Sequence, residues 1–291
     1  MEKSQVDHRQ CQKFIKKGFY RRKQDSREVQ RFYCCKCRCY FSSQTYKSNF
    51  KDQKSRVNTP LLRLLCSGVS QRRCAKVLFI NQKTVARKIR KLARACREYN
   101  HSFKSTSLPV QSFLFDEMET FEHSKCKPLS IGVSVEYESR RILSMKVASM
   151  PAKGLLAKKA RKKYGYRKDD RRKAISALLE EIKVSSISRP EIRSDMNPRY
   201  DRLVSQVFPK GWYHQYKGRR GCVVGQGELK RGGYDPLFYL NHTCAMIRDN
   251  LKRLSRRTWC TTKKKAGLID LLDIYQYYHN HTLLSKATSY I

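Results

Sequence analysis

Between residues 112 and 217 the chain alternates short strand-forming runs with stretches of helical spacing, and this order constrains the fold more than any other feature. "SFLFDEMETF" (112–121) reads as a strand ending in acids, and "LSIGVSVEYESRRILSMKVASM" (129–150) as two strands joined by a charged turn. A helix is predicted over 168–184, a short strand over 191–195, a helix over 197–208 with Pro198 in its first turn, and a strand over 212–217. Helices around 236–257 and 265–284 follow. The order β-β-β-α-β-α-β-α belongs to an α/β sheet rather than a helical bundle.

Charge narrows the partners. Lys and Arg number 64 against 24 Asp and Glu, a net charge of +40 spread over all 291 residues rather than held in a tail. Such a field favours a polyanion. With 40% hydrophobic residues the chain has material for a core, so a disordered basic tail is a poor description. The start, "MEKSQVDHRQCQKF", has no signal-peptide core, and no window reaches the roughly 18 apolar residues of a membrane span. A soluble, cytoplasmic protein without a membrane partner is expected. In a reducing compartment its 12 cysteines point to metal rather than disulfides.

Three regions differ in texture: residues 1–50 are Cys-rich, 58–100 helical in pattern, and 110–291 carries the α/β pattern after a Ser/Pro-containing connector, "HSFKSTSLPV". In the first, His8 and Cys11 form one pair and Cys34 and Cys37 another, each with two residues between. Two such pairs suit a tetrahedral zinc site in a small ribbon domain that lacks a core of its own. Cys35 and Cys39 are rival ligands in "CCKCRC", and free thiols in a basic arm are the plain alternative. Arg and aromatic residues interleaved in "GFYRRK" and "QRFYC" suit contact with nucleic acid.

The second region reads as a helix-turn-helix. A helix beginning at Thr59-Pro60 breaks at Ser67-Gly68, a second is capped by Ser70, and a third begins at Asn81. Val85, Ile89 and Leu92 mark the apolar face of the third, leaving Gln82, Lys83, Arg87, Lys88 and Arg90 largely off it. Those side chains are suited to a major groove, while a solvated basic face is the plain reading.

Asp116 ends the first long strand and Asp195 the "EIRS" strand. Acids at strand ends of an open α/β sheet leave the core where strands converge, which is where metal sites form. Two magnesium or manganese ions there would suit phosphodiester chemistry, although a lone strand-end Asp is usually a solvated cap.

Taken together, "QRFYCCKCRCYFS", "SGVSQRRCAKVLFINQKTVARKI", "LFDEMETF", "RSDMNPRY" and "IRDNLKRLSRRTWC" resemble insertion-sequence transposases with an RNase H-like, DDE-type catalytic domain, nearest to the family of the bacterial insertion element one. The resemblance implies an RNase H-like mixed sheet with flanking helices, preceded by a zinc ribbon and a helix-turn-helix. It implies a metal-dependent DNA transposase that binds the terminal repeats of its own element, cuts and joins double-stranded DNA, and works as a homo-oligomer at the bacterial nucleoid. Asp116 and Asp195 would be the first two catalytic acids.

The third acid of that class is a Glu on the following helix, with a basic residue seven positions later touching the DNA end. Asn241 with Arg248 fits the helix and the spacing but departs in residue type; Glu228 fits in type, but lies in a Gly-rich stretch with Asp235 seven positions on. An amide ligates magnesium without supplying negative charge, so Glu117, Glu119 or Glu228 is expected to make up the difference. The helical slot is assigned to Asn241, whose plain alternative is a helix N-cap. A decayed transposase acting as a DNA-binding repressor is the alternative function, and a basic structural or ribosomal protein a third. His242, His279 and His281 read as structural, Trp212 and Trp259 as core or stacking residues, and 150–173 as a basic loop and helix.

Overall fold

The computed structural model describes residues 13–23, 25–47, 50, 52–217, 234–255 and 258–284, the side chains of Ser105 and Thr106 excepted. The chain divides into two compact units, residues 1–59 and 60–291.

The smaller unit is a three-stranded antiparallel sheet, β1 (Phe14–Arg21), β2 (Glu28–Cys34) and β3 (Tyr40–Ser42), in that order. Its interior is thin: Val29 and Cys34 are buried, and an aromatic cluster holds one face, with Phe32 stacked on Phe41 at 5.3 Å and Phe14 edge-on to both. Phe14, Phe19 and Tyr40 stay exposed, as expected of a unit too small to bury its own hydrophobic residues.

Three helices come next in the chain, α1 (Asn58–Leu65), which begins two residues before the larger unit, α2 (Gln71–Val77) and α3 (Gln82–Thr106). Ser70 and Asn81 cap the second and third as their sequence positions predict, Ser70 accepting from the Arg73 amide and Asn81 from that of Lys83. The stretch 101–110, which reads as a connector, instead continues α3 to Thr106, because Tyr99, Asn100 and Lys104 all have partners to hold it. Tyr99 meets Tyr277 edge-on, Asn100 donates to the Asp273 carbonyl, and Lys104 pairs with Glu181.

Then come β4 (Val110–Phe121), β5 (Pro128–Glu136), β6 (Ile142–Ser149), α4 (Leu156–Tyr164), α5 (Arg171–Lys183), β7 (Ser186–Asp195), α6 (Tyr200–Val207), β8 (Trp212–Tyr216), α7 (Phe238–Asn250) and α8 (Lys265–Tyr278). The five strands form one mixed sheet in the order β6-β5-β4-β7-β8. The first three in sequence pair antiparallel; β7 and β8 add in parallel. Both faces are covered, which is why β5 is buried nearly end to end rather than alternating. On one face Leu114, Met118 and Ile131 share a core with α1, α3, α7 and α8; on the other Phe113, Phe115 and Ile192 pack on α5 and α6. The edge strand β6 is shielded by α8 and the turn after it, where Gln276 and Asn280 bond its backbone at Ile142 and Leu143.

Gly68 ties the first helices to this frame. Its φ of +71° is a left-handed conformation, a Cβ there would stand 3.3 Å from the Asp249 carbonyl, and its amide donates to the Asn250 carbonyl at 2.7 Å. Among the described residues no helix is long and apolar enough to cross a membrane.

Candidate metal centre

Strand register brings the two acids together. Leu114 on β4 pairs with Arg193 on β7, and Asp116 and Asp195 each stand two residues further along these adjacent parallel strands, so both project from the face that α7 covers. Asp116 lies near the middle of its strand rather than at the end, because β4 runs on to Phe121. Its Oδ1 accepts the Glu117 amide at 2.6 Å and the Tyr200 hydroxyl at 3.4 Å. Burial, and next the charge of Asp195, push the Asp116 carboxyl up to about 7. Burial raises Asp195 as well, and its Oδ1 is buried without a hydrogen-bond partner among the described residues. No basic side chain pairs with either acid among the described residues. Two adjacent, partly desolvated carboxylates with an orphaned oxygen have the donor chemistry for a hard divalent cation, so the residues present fit one.

The helix above them carries the expected third position. Asn241, Cys244 and Arg248 are spaced three and four apart on α7 and share a stripe. Burial and then the negative charge of Asp116 push the Cys244 thiol up to about 12, which sets this stripe close to the first acid. Asn241 is exposed and lies inside the helix, since Leu237 holds the N-cap, so the reading of Asn241 as a cap is set aside. Its Nδ2 donates to Asp235 Oδ2 at 3.0 Å, and the other oxygen of Asp235 accepts the Leu237 amide. Tyr200, Cys244 and Asp235 were not legible as site residues. Asp235 stands out in the sequence only as the acid found where a base would follow Glu228.

Several expectations come out differently. Glu117 lies on the opposite face from Asp116, opposite Gly132, where a Cβ would touch Ile175 of α5; it accepts from Ser130, and Glu119 pairs with Lys153. Strand alternation therefore withholds both from the acid pair. Lys88 is buried, being three residues from Val85 and next to Ile89 on the packed side of α3, while Gln82, Lys83, Arg87 and Arg90 are exposed. Trp212 and Trp259 are exposed rather than core. The histidines, by contrast, are structural as read: His279 is buried against the Arg140 carbonyl and held down to about 4 by burial, His281 packs on Tyr99 and Phe103, and His242 meets Arg140.

His8, Cys11 and Glu228 lie outside the described residues. Cys34 ends β2 and Cys37 follows in the turn, where the Cys34 amide donates to the Cys39 carbonyl and the Cys39 thiol to that of Cys37. Among the described residues no group of three or more His, Cys, Asp or Glu side chains is gathered as a metal cage.

No known family and no curated protein matches the chain by sequence. Solved structures similar to it include the catalytic domain of Mos1 mariner transposase, at 12% identity and a TM-score of 0.31, covering 69% of this chain and 90% of that one. The Mos1 mariner paired end complex with Mn is similar at 11% identity and a TM-score of 0.30, covering 79% and 76%. Likeness this loose leaves the reading to the strand order and the acids of this chain.

Proposed function

We propose that the chain is a metal-dependent DNA transposase, and the observation that carries this is the pair of uncompensated acids on neighbouring central strands. In a protein of net charge +40, leaving two adjacent, partly buried carboxylates without a base among the described residues favours a cation supplied from outside. Strand order and the positions of the acids support an RNase H-like catalytic domain. Asp116 and Asp195 would hold magnesium or manganese, which when bound supplies activation of a water or 3′-hydroxyl and stabilisation of the leaving oxygen.

The protein groups have distinct tasks. The Glu117 amide and Tyr200 hydroxyl orient the Asp116 carboxylate. Asp235 fixes the Asn241 amide by taking its N–H, leaving the amide oxygen as an acceptor on the same helical stripe as Arg248. Arg248 would meet a DNA phosphate near the reacting end. Gln82, Lys83, Arg87 and Arg90 of α3 would read the terminal repeats in the major groove, assisted by a zinc ribbon held by His8, Cys11, Cys34 and Cys37. Assembly as a homo-oligomer on paired ends is part of the same reading.

The test is strand nicking and transfer on DNA carrying the ends of the encoding element, with magnesium or manganese. Wild type is compared with Asp116→Ala, Asp195→Ala, Asn241→Ala and Glu228→Ala. Loss in both Asp variants, and in one of the other two, supports the reading and identifies the third ligand. The amide at Asn241 favours a second reading, a decayed transposase that binds its element as a repressor. Specific DNA binding without nicking in the wild type, with nicking gained in Asn241→Glu, would establish that reading instead.

A further inference from the structure

A cavity lies away from the acid pair, beyond the far end of β4, roughly 15–20 Å along the strand from Asp116 at about 3.3 Å per residue. It encloses about 340 Å³ between the β4–β5 turn, the segment after β6 and α4. Its polar lining is basic: Lys127, Arg161 and Arg167. Glu122 meets two of these loosely, Arg167 at 3.7 Å and Lys127 at 3.9 Å, while its other oxygen accepts the Lys265 amide at 2.9 Å. The Arg167 Nε is buried with no acceptor among the described residues.

The remaining walls are alanines, Cys126, Pro151, Gly165 and two tyrosines, Tyr164 and Tyr166. Lys127 Nζ stands 5.2 Å from the Tyr164 ring centroid, so the aromatic face and the positive charge adjoin. Tyr166 is 82% exposed, an aromatic ring at the mouth of a basic cavity. A phosphate alone would use the cations and leave the aromatic and apolar walls unmatched, whereas the volume is at the lower end of small-molecule sites.

We infer that this cavity binds a nucleoside monophosphate, with the phosphate on Arg161, Arg167 and Lys127 and the base against Tyr164 and Tyr166. The nucleotide comes either free from solution or as one unit of a strand turned out of a duplex, since both present the same groups. The inference does not depend on catalysis at Asp116 and Asp195.

The full chain is titrated with dAMP, deoxyadenosine and inorganic phosphate, and separately with a DNA duplex carrying one unpaired 2-aminopurine. Arg161→Glu and Tyr166→Ala alter exposed positions and should fold as the wild type, which circular dichroism checks. Binding of dAMP at least tenfold tighter than either fragment, weakened tenfold or more in both variants and unchanged in Asp116→Ala, supports the site. A 2-aminopurine signal that is lost in Tyr166→Ala and competed by dAMP identifies the strand as the source; dAMP binding without that signal identifies free nucleotide. Phosphate competing as well as dAMP, dAMP binding indifferent to both variants, or no response to dAMP and 2-aminopurine would each overturn the inference.

Discussion

Glu181 and Asp116 are both partly buried carboxylates, and they are held in opposite ways. Glu181 on α5 takes Lys104 and Lys146 as partners and a hydrogen bond from Ser144. Burial alone would raise it, but the two lysines outweigh that and hold it at about 2. Asp116 is raised to about 7 by burial and by Asp195, with no lysine or arginine beside it among the described residues. Asp270 and Asp273 are raised by burial too, yet both lie against Arg97. In a chain so rich in cations, supplying a partner is easy. Where one is withheld from two adjacent acids, the arrangement is unfavourable for folding alone and suited to binding.

The largest effect that would sharpen this contrast is on activity. Asp116→Ala and Asp195→Ala should each lower metal-dependent nicking by about 10³-fold or more, with DNA binding retained, as gel-based nicking and binding assays would show. Metal affinity should respond to pH. Because Asp116 must ionise to bind, manganese affinity measured by calorimetry should rise from pH 5 toward 7, by up to about tenfold per unit, then level off.

Stability should move in opposite directions at the two sites. A carboxyl raised in the folded state favours folding most below its unfolded value near 3.8, and that contribution is lost as pH rises through about 7. Asp116→Asn should therefore stabilise the metal-free protein at pH 8 by on the order of 2–4 kcal/mol, and much less at pH 4, in urea titrations. For Glu181 the sign is reversed: its contribution is present above the unfolded value near 4.5 and is lost as pH falls toward about 2. Glu181→Gln should destabilise the protein at pH 7 by about 1–2 kcal/mol, since partial exposure discounts the cost of stranding two lysines. The same urea titrations in Gly68→Ala should show a loss of about 1–2 kcal/mol from strained backbone at the α1–α2 turn. The smallest change is expected in Asp235→Ala, a few-fold loss of manganese affinity as the Asn241 amide loses its anchor.

Much of the frame was readable in advance because it rests on local chemistry. The caps at Ser70 and Asn81, the strand runs around Asp116 and Asp195, and the α/β order depend on residues a few positions apart. Readings that needed the opposing surface fared worse. Arg97, Asn100 and Lys104 are polar and suggest solvent, yet their partners 77 to 176 residues away extend α3 through the expected connector. Lys88 looked like a groove reader until packing of the adjoining face buried it.

The sequence by itself determined that two acids would end up on strands of one sheet, because strand patterning is a period-two property of neighbouring residues, and that the chain would carry charge for a polyanion. Only the tertiary structure decided that the two strands are adjacent and in register, that Glu117 turns away while Cys244 comes close to Asp116, and that Asp235 takes the Asn241 amide. Those outcomes depend on which surfaces meet, and the burial that raises Asp116 exists only once a helix far along the chain has closed over the sheet.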